Sequence, residues 1–464
     1  MSLLLDLVPA SSKMSDRRLQ TKLLLQAGRL LLEYNESTEA IRRALTSTAK
    51  TLTDEPCHVA ITYEGVAVSL GGHGPALESV RELRYNTAVQ TRVHEILEQL
   101  RRGSLDASAA LACLRVVEAD TPRHSRWLAA LFLGTAASSL AGLLGADTGA
   151  AAVSGVASGL GLLVRYQLGR RHFALLALPL TAAFIGAVFG GLAIRFGWTA
   201  TPELALIVPA LMLVPGPHLI NGLFDLIDNH LPMSLSRLWL AAGIMFASAL
   251  GVVLGIELTL PGPFFPEGVT ADHLNLVSDV VLAGIVTCGF AMFYNTSWRQ
   301  LGRVAIGGMA GHGLRFLALE AGCGLEAATF LGGLTVGALS AWMARSIKAP
   351  VAVIAFAGAV TMMPGLSFYH GLGGALRMAR FPDLADAATM AATLAHALQG
   401  MLVVSGLALG LILGARVVPA LAGEPESPRG PRASHDRDEA ARRVEPETAK
   451  QSVMESVPRD SGNA

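Results

Sequence analysis

The stretch LVPGPHLINGLF, residues 213–224, interrupts an apolar segment that begins near Glu203. A second stretch, MMPGLSFYHGLG at residues 362–373, repeats its pattern of an apolar pair, Pro-Gly, a polar residue and Gly-Leu. Proline removes a backbone N–H, and glycine adopts conformations closed to other residues. Each Pro-Gly pair therefore predicts a break in an apolar helix. Within a bilayer, the freed backbone groups must face protein, water or a ligand, because lipid cannot hydrogen-bond to them.

The chain around these two stretches is apolar enough to lie in a membrane. Of its 464 residues, 52% belong to the set AVILMFWYC and 16% are charged, against about 25% charged in a typical soluble protein. Apolar runs of about 16–24 residues are long enough to cross a hydrocarbon core of about 30 Å. The sequence therefore predicts an all-α polytopic membrane protein with about ten transmembrane helices. They are placed at 127–145, 148–164, 173–194, 203–220, 238–258, 273–294, 300–319, 325–344, 350–365 and 389–414.

The two ends of the chain differ from this apolar middle. Residues 1–126 predict a small soluble α/β domain, and residues 418–464 predict a disordered tail, because a segment rich in Glu, Arg, Pro and Ser cannot bury a core. The membrane region between them divides into blocks 127–258 and 259–417. Periodicity and turn signals in the first domain predict two helices between Asp16 and Leu52, a hairpin of strands 57–63 and 66–70, and helices at 86–102 and 105–119.

The two broken helices suggest an internal repeat. Each break lies in the fourth helix of a five-helix block. Because five is odd, the second block must enter the membrane from the opposite side, which gives an inverted repeat, as in many secondary transporters. Matching breaks in two halves predict a substrate site at Pro215, Gly216, Pro364 and Gly365. The alternative is a kink that serves only helix packing.

The basic residues near helix ends predict the orientation of the chain. We see no signal peptide, so the N-terminal domain is expected to stay on the side where it is made. With that domain inside, the outer loops hold Arg195, Arg377 and Arg380. The inner loops hold many more basic residues: Arg123, Arg126, Arg165, Arg170, Arg171, Arg237, Arg299, Arg303, Arg345, Lys348 and Arg416. The bias predicts a multi-pass protein of the plasma (inner) membrane with both termini cytoplasmic.

Polar residues at membrane depth are costly and usually functional. Asn221 and Asp225 lie four residues apart after the first break and can share a helical face. We predict that both bind substrate, together with His370 after the second break. Histidine exchanges protons near neutral pH. The predicted proton-coupling residues are Asp225, Asp279 (about two turns inside the sixth span), His312 and His396. His312 lies near one helical face with Arg315, and His396 lies near another with Gln399.

Each of these residues has a plainer interpretation. Asp225 is also explained as a residue at the cytoplasmic helix end in contact with water, and each histidine as a packed interior residue. In the first domain, His58, Glu64 and His73 suggest hydrolase chemistry, but the sequence has no GxSxG, HExxH or phosphate-loop motif. We expect no metal or other cofactor. A net charge of zero gives no long-range attraction to nucleic acid.

Residues 18–417 resemble the threonine/serine exporter family. The resemblance rests on the order and spacing of several short motifs, and the chain departs from the family pattern at His218, Phe224 and residues 228–232. The matching motifs are residues 19–36, Arg126-Trp127-Leu128, Val214-Pro215-Gly216 with Asn221 and Asp225, Ser236-Arg237-Leu238, residues 289–295, Ala344-Arg345, Ala349-Pro350 and Met363-Pro364-Gly365. The resemblance implies export of threonine, serine or similar amino acids driven by the proton gradient, with a cytoplasmic N-terminal domain joined to ten spans.

The sequence thus favours a secondary transporter, not an enzyme, whose partners are a small amino acid, protons and the lipid bilayer. Its substrate would lie between the two blocks, and one block would rock against the other. A homo-oligomer is left open. Two other classes are also left open: a membrane-anchored enzyme with hydrolase-like activity in the N-terminal domain, and a non-transporting scaffold or sensor.

Overall fold

The computed structural model describes residues 10–260, 274–347, 351–384 and 386–421. Those up to Val418 belong to one compact unit. The predicted disordered tail lies outside the described residues, except that the last helix continues to Leu421.

The N-terminal domain packs four helices around a small antiparallel sheet of order β1-β2-β3. The predicted hairpin is confirmed, with Val59 opposite Val68. A third strand was not predicted, because its four residues follow the loop signal of Gly74-Pro75. That this domain folds as an independent soluble unit ending at residue 126 stays a prediction. Its elements are α1 (Ala10–Glu33), α2 (Thr38–Leu52), β1 (Cys57–Thr62), β2 (Gly65–Leu70), β3 (Ala76–Ser79), α3 (Thr87–Arg101) and α4 (Ala107–Ala119).

Three helices of this domain begin at a capping residue. Ser37, Asn86 and Asp106 each accept a hydrogen bond from a backbone N–H in the first turn of the helix that follows. Such caps satisfy donors that have no partner within the helix. The apolar faces of the helices meet in one core, which also includes Met233 from the membrane region. The domain therefore packs directly on the membrane helices.

The membrane region follows the predicted order of spans. Its first block has α5 (Arg126–Leu143), α6 (Thr148–Arg170), α7 (Ala177–Arg195), α8 (Pro202–Leu211), α9 (Gly216–Ile227) and α10 (Leu231–Thr259). The second has α11 (Leu276–Phe293), α12 (Trp298–Glu320), α13 (Leu325–Ile347), α14 (Val351–Ala359), α15 (Gly365–Arg380) and α16 (Ala387–Leu421). Short 3₁₀ turns at Val360–Met362 and Pro382–Leu384 flank α15.

The number of clear spans is smaller than predicted. Among the described residues, seven helices are long and apolar enough to cross a membrane, and the pair α8–α9, bent by 58°, makes an eighth where it counts as one broken span. Neither α12 nor the pair α14–α15 is among these eight. α12 is excluded because its charged residues lower its mean hydropathy; these are Arg299, Arg303, Arg315 and Glu320.

Small residues bring corresponding helices together in the two blocks. In the first block, α7 packs on α10 where Gly251 faces the backbone of Leu180. In the second block, α13 packs on α16 where Gly337 faces the backbone of Leu411. The third helix thus packs on the fifth in both blocks, while the inverted repeat itself stays a prediction.

Candidate functional site

The two Pro-Gly breaks meet in the folded chain. A Cβ atom placed on Gly216 would lie 3.4 Å from Cε of Met363, next to the second break. A Cβ atom placed on Gly365 would lie 3.1 Å from a methyl group of Leu211, next to the first break. Each break therefore packs against the other, at the junction between the blocks.

The breaks also share a backbone geometry. Pro215 has φ −81° and ψ 64°, and Pro364 has φ −79° and ψ 49°. In both, the glycine N–H donates to the carbonyl two residues earlier, Val214 or Met363, at 2.8 Å. This is an inverse γ-turn centred on proline. The turn replaces the regular helical hydrogen bonds at the centre of each broken helix.

The first turn leaves two carbonyl groups without donors. In a helix, the carbonyl of Leu213 would accept from residue 217, but Pro217 has no N–H. The carbonyl of Met212 loses the N–H of Gly216, which donates to Val214 instead. No donor in the described part of the chain reaches either oxygen.

A cavity of about 160 Å³ lies beside this first break. Met212, Leu213 and Pro215 line it together with side chains from α6, α10, α11 and the N-terminal domain. Its polar lining residues are Tyr85, Arg165, His218 and Tyr294. A second, much smaller cavity of about 30 Å³ lies near Gly365 and Tyr369. The junction is thus mostly closed in this conformation.

Asn221 and Asp225 share a helical face as predicted, but that face packs against the turn between α1 and α2. Asp225 forms an ion pair with Arg237 at 3.0 Å, and the two side chains are 1% and 0% exposed. The other Asp225 oxygen accepts from the backbone N–H of Thr38 at 3.2 Å. The interpretation of Asp225 as a residue in contact with water is therefore wrong, as is the placement of Arg237 in a loop.

The same turn supplies carbonyl acceptors to the membrane helices. Asn221 donates to the carbonyl of Asn35 at 2.7 Å, and Arg237 donates to that of Glu36 at 2.6 Å. We name this set of contacts, made by Asn221, Asp225 and Arg237 with residues 35–38, the latch. It ties the N-terminal domain to α9 and α10 of the first block.

A second part of the N-terminal domain contacts the second block. Thr87 donates its backbone N–H to the carbonyl of Tyr294 at 2.8 Å. The Tyr85 ring lies 5.1 Å from the His218 ring and 5.7 Å from the Tyr294 ring, between centroids. Burial raises the pKa of the Tyr85 hydroxyl well above its usual value, so this group stays protonated. The N-terminal domain therefore bridges both blocks, which the sequence did not indicate.

A cluster of Glu203, His370 and His396 joins the blocks at the other end of the broken helices. Nε2 of His370 lies 2.6 Å from Oε1 of Glu203, and the ring of His396 lies 5.0 Å from that of His370. Glu203 is 4% exposed, and its Oε2 has no partner among the described residues. The sequence interpretation missed Glu203 as a site residue, because an acid in the first turn of a helix usually faces solvent.

The predicted residues Asp279 and His312 form a second carboxylate–histidine pair. Oδ2 of Asp279 lies 2.7 Å from Nδ1 of His312, and both side chains are buried. Arg315 lies 3.5 Å from the other nitrogen of His312 and donates to the Thr329 hydroxyl at 3.2 Å. The predicted depth of Asp279 was wrong: α11 begins at Leu276, so Asp279 lies in its first turn.

The residues that suggested hydrolase chemistry are not brought together. His58 lies on β1, Glu64 lies in the hairpin turn, and His73 contacts Arg17. Within the described ranges, no hydrogen bond joins these three residues, and no three His, Cys, Asp or Glu side chains are grouped as metal ligands would be.

The apolar helices, with two broken helices that meet between them, define a multi-pass membrane protein. The chain belongs to the threonine/serine exporter family: residues 22–259 match the family described as "Putative threonine/serine exporter". Residues 279–417 match the one described as "Threonine/Serine exporter, ThrE". The family assignment made from the sequence motifs is thus confirmed for both halves.

Two relatives carry a different substrate in their names. The chain is 25% identical over 248 residues to the "Probable succinate transporter subunit YjjP" of Klebsiella aerogenes. It is 24% identical over 246 residues to the protein of the same name from Escherichia coli K12. Each match covers 95% of the relative but only 53% or 52% of this chain. No solved structure matches the chain.

Proposed function

We propose that this protein exports small amino acids of the serine or threonine type across the plasma (inner) membrane, driven by protons. The observation that carries the proposal is the meeting of the two Pro-Gly breaks at the junction of the blocks. Broken helices at a junction between two blocks supply backbone groups for a polar solute at membrane depth. Pro215, Gly216, Pro364 and Gly365 thus form the centre of the proposed path.

In this mechanism the two carboxylate–histidine pairs carry protons. Glu203 with His370 bridges α8 and α15, so its proton state affects how the two blocks hold together. Asp279 with His312 bridges α11 and α12 within the second block. When a buried carboxylate–histidine pair gains or loses a proton, its net charge changes. The free energy cost of keeping the pair buried changes with it. His396, next to His370, extends the first pair.

The latch closes the path on the side of the N-terminal domain. Asn221 and Asp225 were predicted to bind substrate, and Asp225 to couple protons. Their contacts with residues 35–38 favour a gating role, because a substrate would have to displace the α1–α2 turn to reach them. Opening of the latch would admit substrate from the cytoplasm, if both chain termini lie there as the basic residues predict.

Flux in proteoliposomes tests the proposal. Purified protein would be reconstituted, and uptake of labelled serine and threonine measured with and without an imposed pH gradient. We expect accumulation against a concentration gradient only when the pH gradient is present, and collapse on addition of a protonophore. Absence of gradient-dependent flux of either amino acid would overturn the proposal.

A second candidate substrate is a small dicarboxylate, because the two curated relatives are named as subunits of a succinate transporter. Labelled succinate in the same assay separates the two substrates. The word "subunit" in the names of these relatives also favours an assembly of more than one chain. A mass measurement of the purified protein in detergent would show whether this chain, which spans both blocks, still forms a homo-oligomer.

The enzyme and scaffold alternatives have distinct outcomes. If the N-terminal domain were a hydrolase, a His58→Ala change would abolish its activity. If the protein is a transporter, the same change should leave transport unchanged. A scaffold would support no flux in liposomes that contain only this protein. The positions of His58, Glu64 and His73 give no support to the enzyme.

A further inference from the structure

The cavity beside the first break has an electropositive lining with no acid in it. Arg165 on α6 and His218 on α9 are its ionisable residues apart from tyrosines. No Asp or Glu lines the cavity, and the ionisable side chains that act on Arg165 are those of Tyr85, Tyr166 and Tyr294. Its guanidinium lies over the Phe293 ring instead, 5.8 Å from the centroid. A half-buried arginine without a counter-charge leaves a place for an anion.

Two further polar atoms of the same lining have no partner. Nδ1 of His218 and the hydroxyl of Tyr85 are both buried and form no hydrogen bond within the described residues. His218 is only 2% exposed. Buried polar groups in native proteins are nearly always paired, so each orphan needs an explanation. A ligand in the cavity would supply one acceptor or donor to each.

We infer that this cavity binds the carboxylate of the transported solute, with Arg165 as its counter-charge and Tyr85 and His218 as hydrogen-bonding partners. The inference rests on the proposed function and names the binding groups for its substrate. A guanidinium matches a carboxylate because its planar N–H groups donate to both oxygens. A protonated Tyr85 hydroxyl and one ring nitrogen of a neutral His218 can both donate as well.

The rest of the cavity lining determines which second functional group the bound carboxylate compound can carry. The free carbonyls of Met212 and Leu213 belong to residues of the same cavity. Carbonyl oxygens accept from an ammonium or hydroxyl group but repel a second carboxylate. The lining thus favours an α-amino acid over a dicarboxylate. A volume of about 160 Å³ holds about five water molecules at the density of the liquid, which suits one small solute.

Arg165 is also placed for entry from the side of the N-terminal domain. It lies near the end of α6, and Tyr85 of the N-terminal domain closes the cavity above His218. The sequence interpretation put Arg165 in a loop with Arg170 and Arg171, as one of several orientation signals. The structure separates them, because Arg165 lines the cavity while Arg170 and Arg171 are exposed.

Equilibrium binding to the purified full-length protein tests the inference without any gradient. The probe is labelled L-serine, and the competitors are L-threonine, succinate and L-serinamide, which lacks the carboxylate. We expect threonine to compete, serinamide to fail, and succinate to compete weakly. An Arg165→Gln change should lower the affinity for serine about tenfold or more. Arg165→Lys should retain part of it, and Arg170→Gln should match the wild type.

Three results would overturn the inference: serinamide competing as well as serine, Arg165→Gln binding serine like the wild type, or wild-type protein binding none of the three carboxylates. Succinate binding more tightly than serine, with the same dependence on Arg165, would keep the carboxylate site but reverse the choice of substrate. The competition series needs no variant, so misfolding of Arg165→Gln would not leave the question open.

Transport assays distinguish this failure from failure of the proposed function. If wild-type protein moves serine with the pH gradient and Arg165→Gln does so with an unchanged KM, the function stands and the site is wrong. If serine binds in an Arg165-dependent way but no gradient drives its flux, the site stands and the proton-driven export is wrong.

Discussion

At the scale of single residues, a substitution in the Asp225–Arg237 pair tests whether Asp225 belongs to the latch or carries the coupling proton. Both side chains are fully enclosed, so an Asp225→Asn change would leave a buried arginine without a counter-charge. Removing one partner of a buried pair costs about 3–5 kcal/mol. We therefore expect a large fall in the thermal stability of the purified protein.

The matched control for this variant is Asp228→Asn. Asp228 pairs with Arg416 at 2.9 Å, and that arginine is 46% exposed. Exposed pairs contribute about 0–1 kcal/mol, so this change should barely move the melting temperature. If Asp225→Asn is as stable as the control and only loses proton coupling, Asp225 is the proton site that the sequence predicted and the latch is wrong.

Glu203 allows a test of coupling at the opposite end of the broken helices. A Glu203→Gln change keeps the size of the side chain but removes its charge and proton exchange. We expect exchange of labelled serine across the liposome membrane to continue, while accumulation driven by the pH gradient is lost. Glu320→Gln, at the exposed end of α12, serves as control and should leave both unchanged. Normal gradient-driven accumulation in Glu203→Gln would exclude Glu203 from the coupling step.

Glu39 next to the latch predicts a dependence of stability on pH. Burial alone would raise the pKa of this carboxyl, but hydrogen bonds from His230 and Arg42 and the charges of Arg42 and Arg43 lower it to about 2. Because the folded-state pKa of Glu39 is lowered, its ionised carboxylate stabilises the fold fully above its ordinary pKa of 4.5, and this contribution is lost as pH falls toward 2. Glu39→Gln should thus be less stable than wild type at pH 7, and the difference in melting temperature should shrink below pH 4.5. A constant difference would contradict this account.

At the scale of elements, the γ-turns at Pro215 and Pro364 are equivalent positions in two halves. At Pro364, alanine restores a backbone N–H and permits a continuous helix, whereas at the first break Pro217 must be replaced together with Pro215. We expect Pro364→Ala and the double change Pro215→Ala with Pro217→Ala each to keep a melting temperature near that of the wild type, because the greater freedom of the unfolded chain offsets the restored helical hydrogen bonds. Both should reduce serine flux at least about tenfold. The reason is that a straightened helix fills the junction with its own hydrogen-bonded backbone.

Pro232→Ala is the control, since Pro232 lies at the start of α10, where proline is compatible with a helix. This change should leave flux intact. If only one of the two break variants lost transport, the two breaks would not have equivalent roles in transport, although their sequences are alike.

The elements were more predictable than the contacts between them. Pro-Gly pairs and apolar runs are local signals, so both breaks and the order of helices could be predicted. The burial of Glu203 depends on α15, which covers it. The position of Arg165 in the cavity lining depends on Tyr85 and Phe293, which surround it. Near a helix end, sequence alone cannot tell a solvent-facing charge from one that a distant segment encloses. Four-residue β3 was missed because it depends on pairing with β2.

At the scale of the whole molecule, the N-terminal domain constrains any rocking of the blocks. It holds the first block through the latch and the second through Thr87 and Tyr294. Relative movement of the blocks must therefore break one of these contacts or carry the domain with it. Tyr85 belongs to this bridge and also closes the cavity, so release of the domain and access to Arg165 would be a single event.

Labelling of two native cysteines can measure the orientation of the protein in the membrane. Cys113 is exposed on α4 of the N-terminal domain, and Cys323 is exposed between α12 and α13. The basic residues predict that the first is cytoplasmic and the second external. In a variant with Cys57→Ser and Cys288→Ser, a membrane-impermeant maleimide should label Cys323 in cells whose plasma membrane is exposed and intact. It should label Cys113 only after that membrane is permeabilised, and single Cys113→Ser and Cys323→Ser variants assign each signal. Labelling of both cysteines from one side would overturn the topology, and with it the opposite insertion of the two blocks on which a shared central path depends.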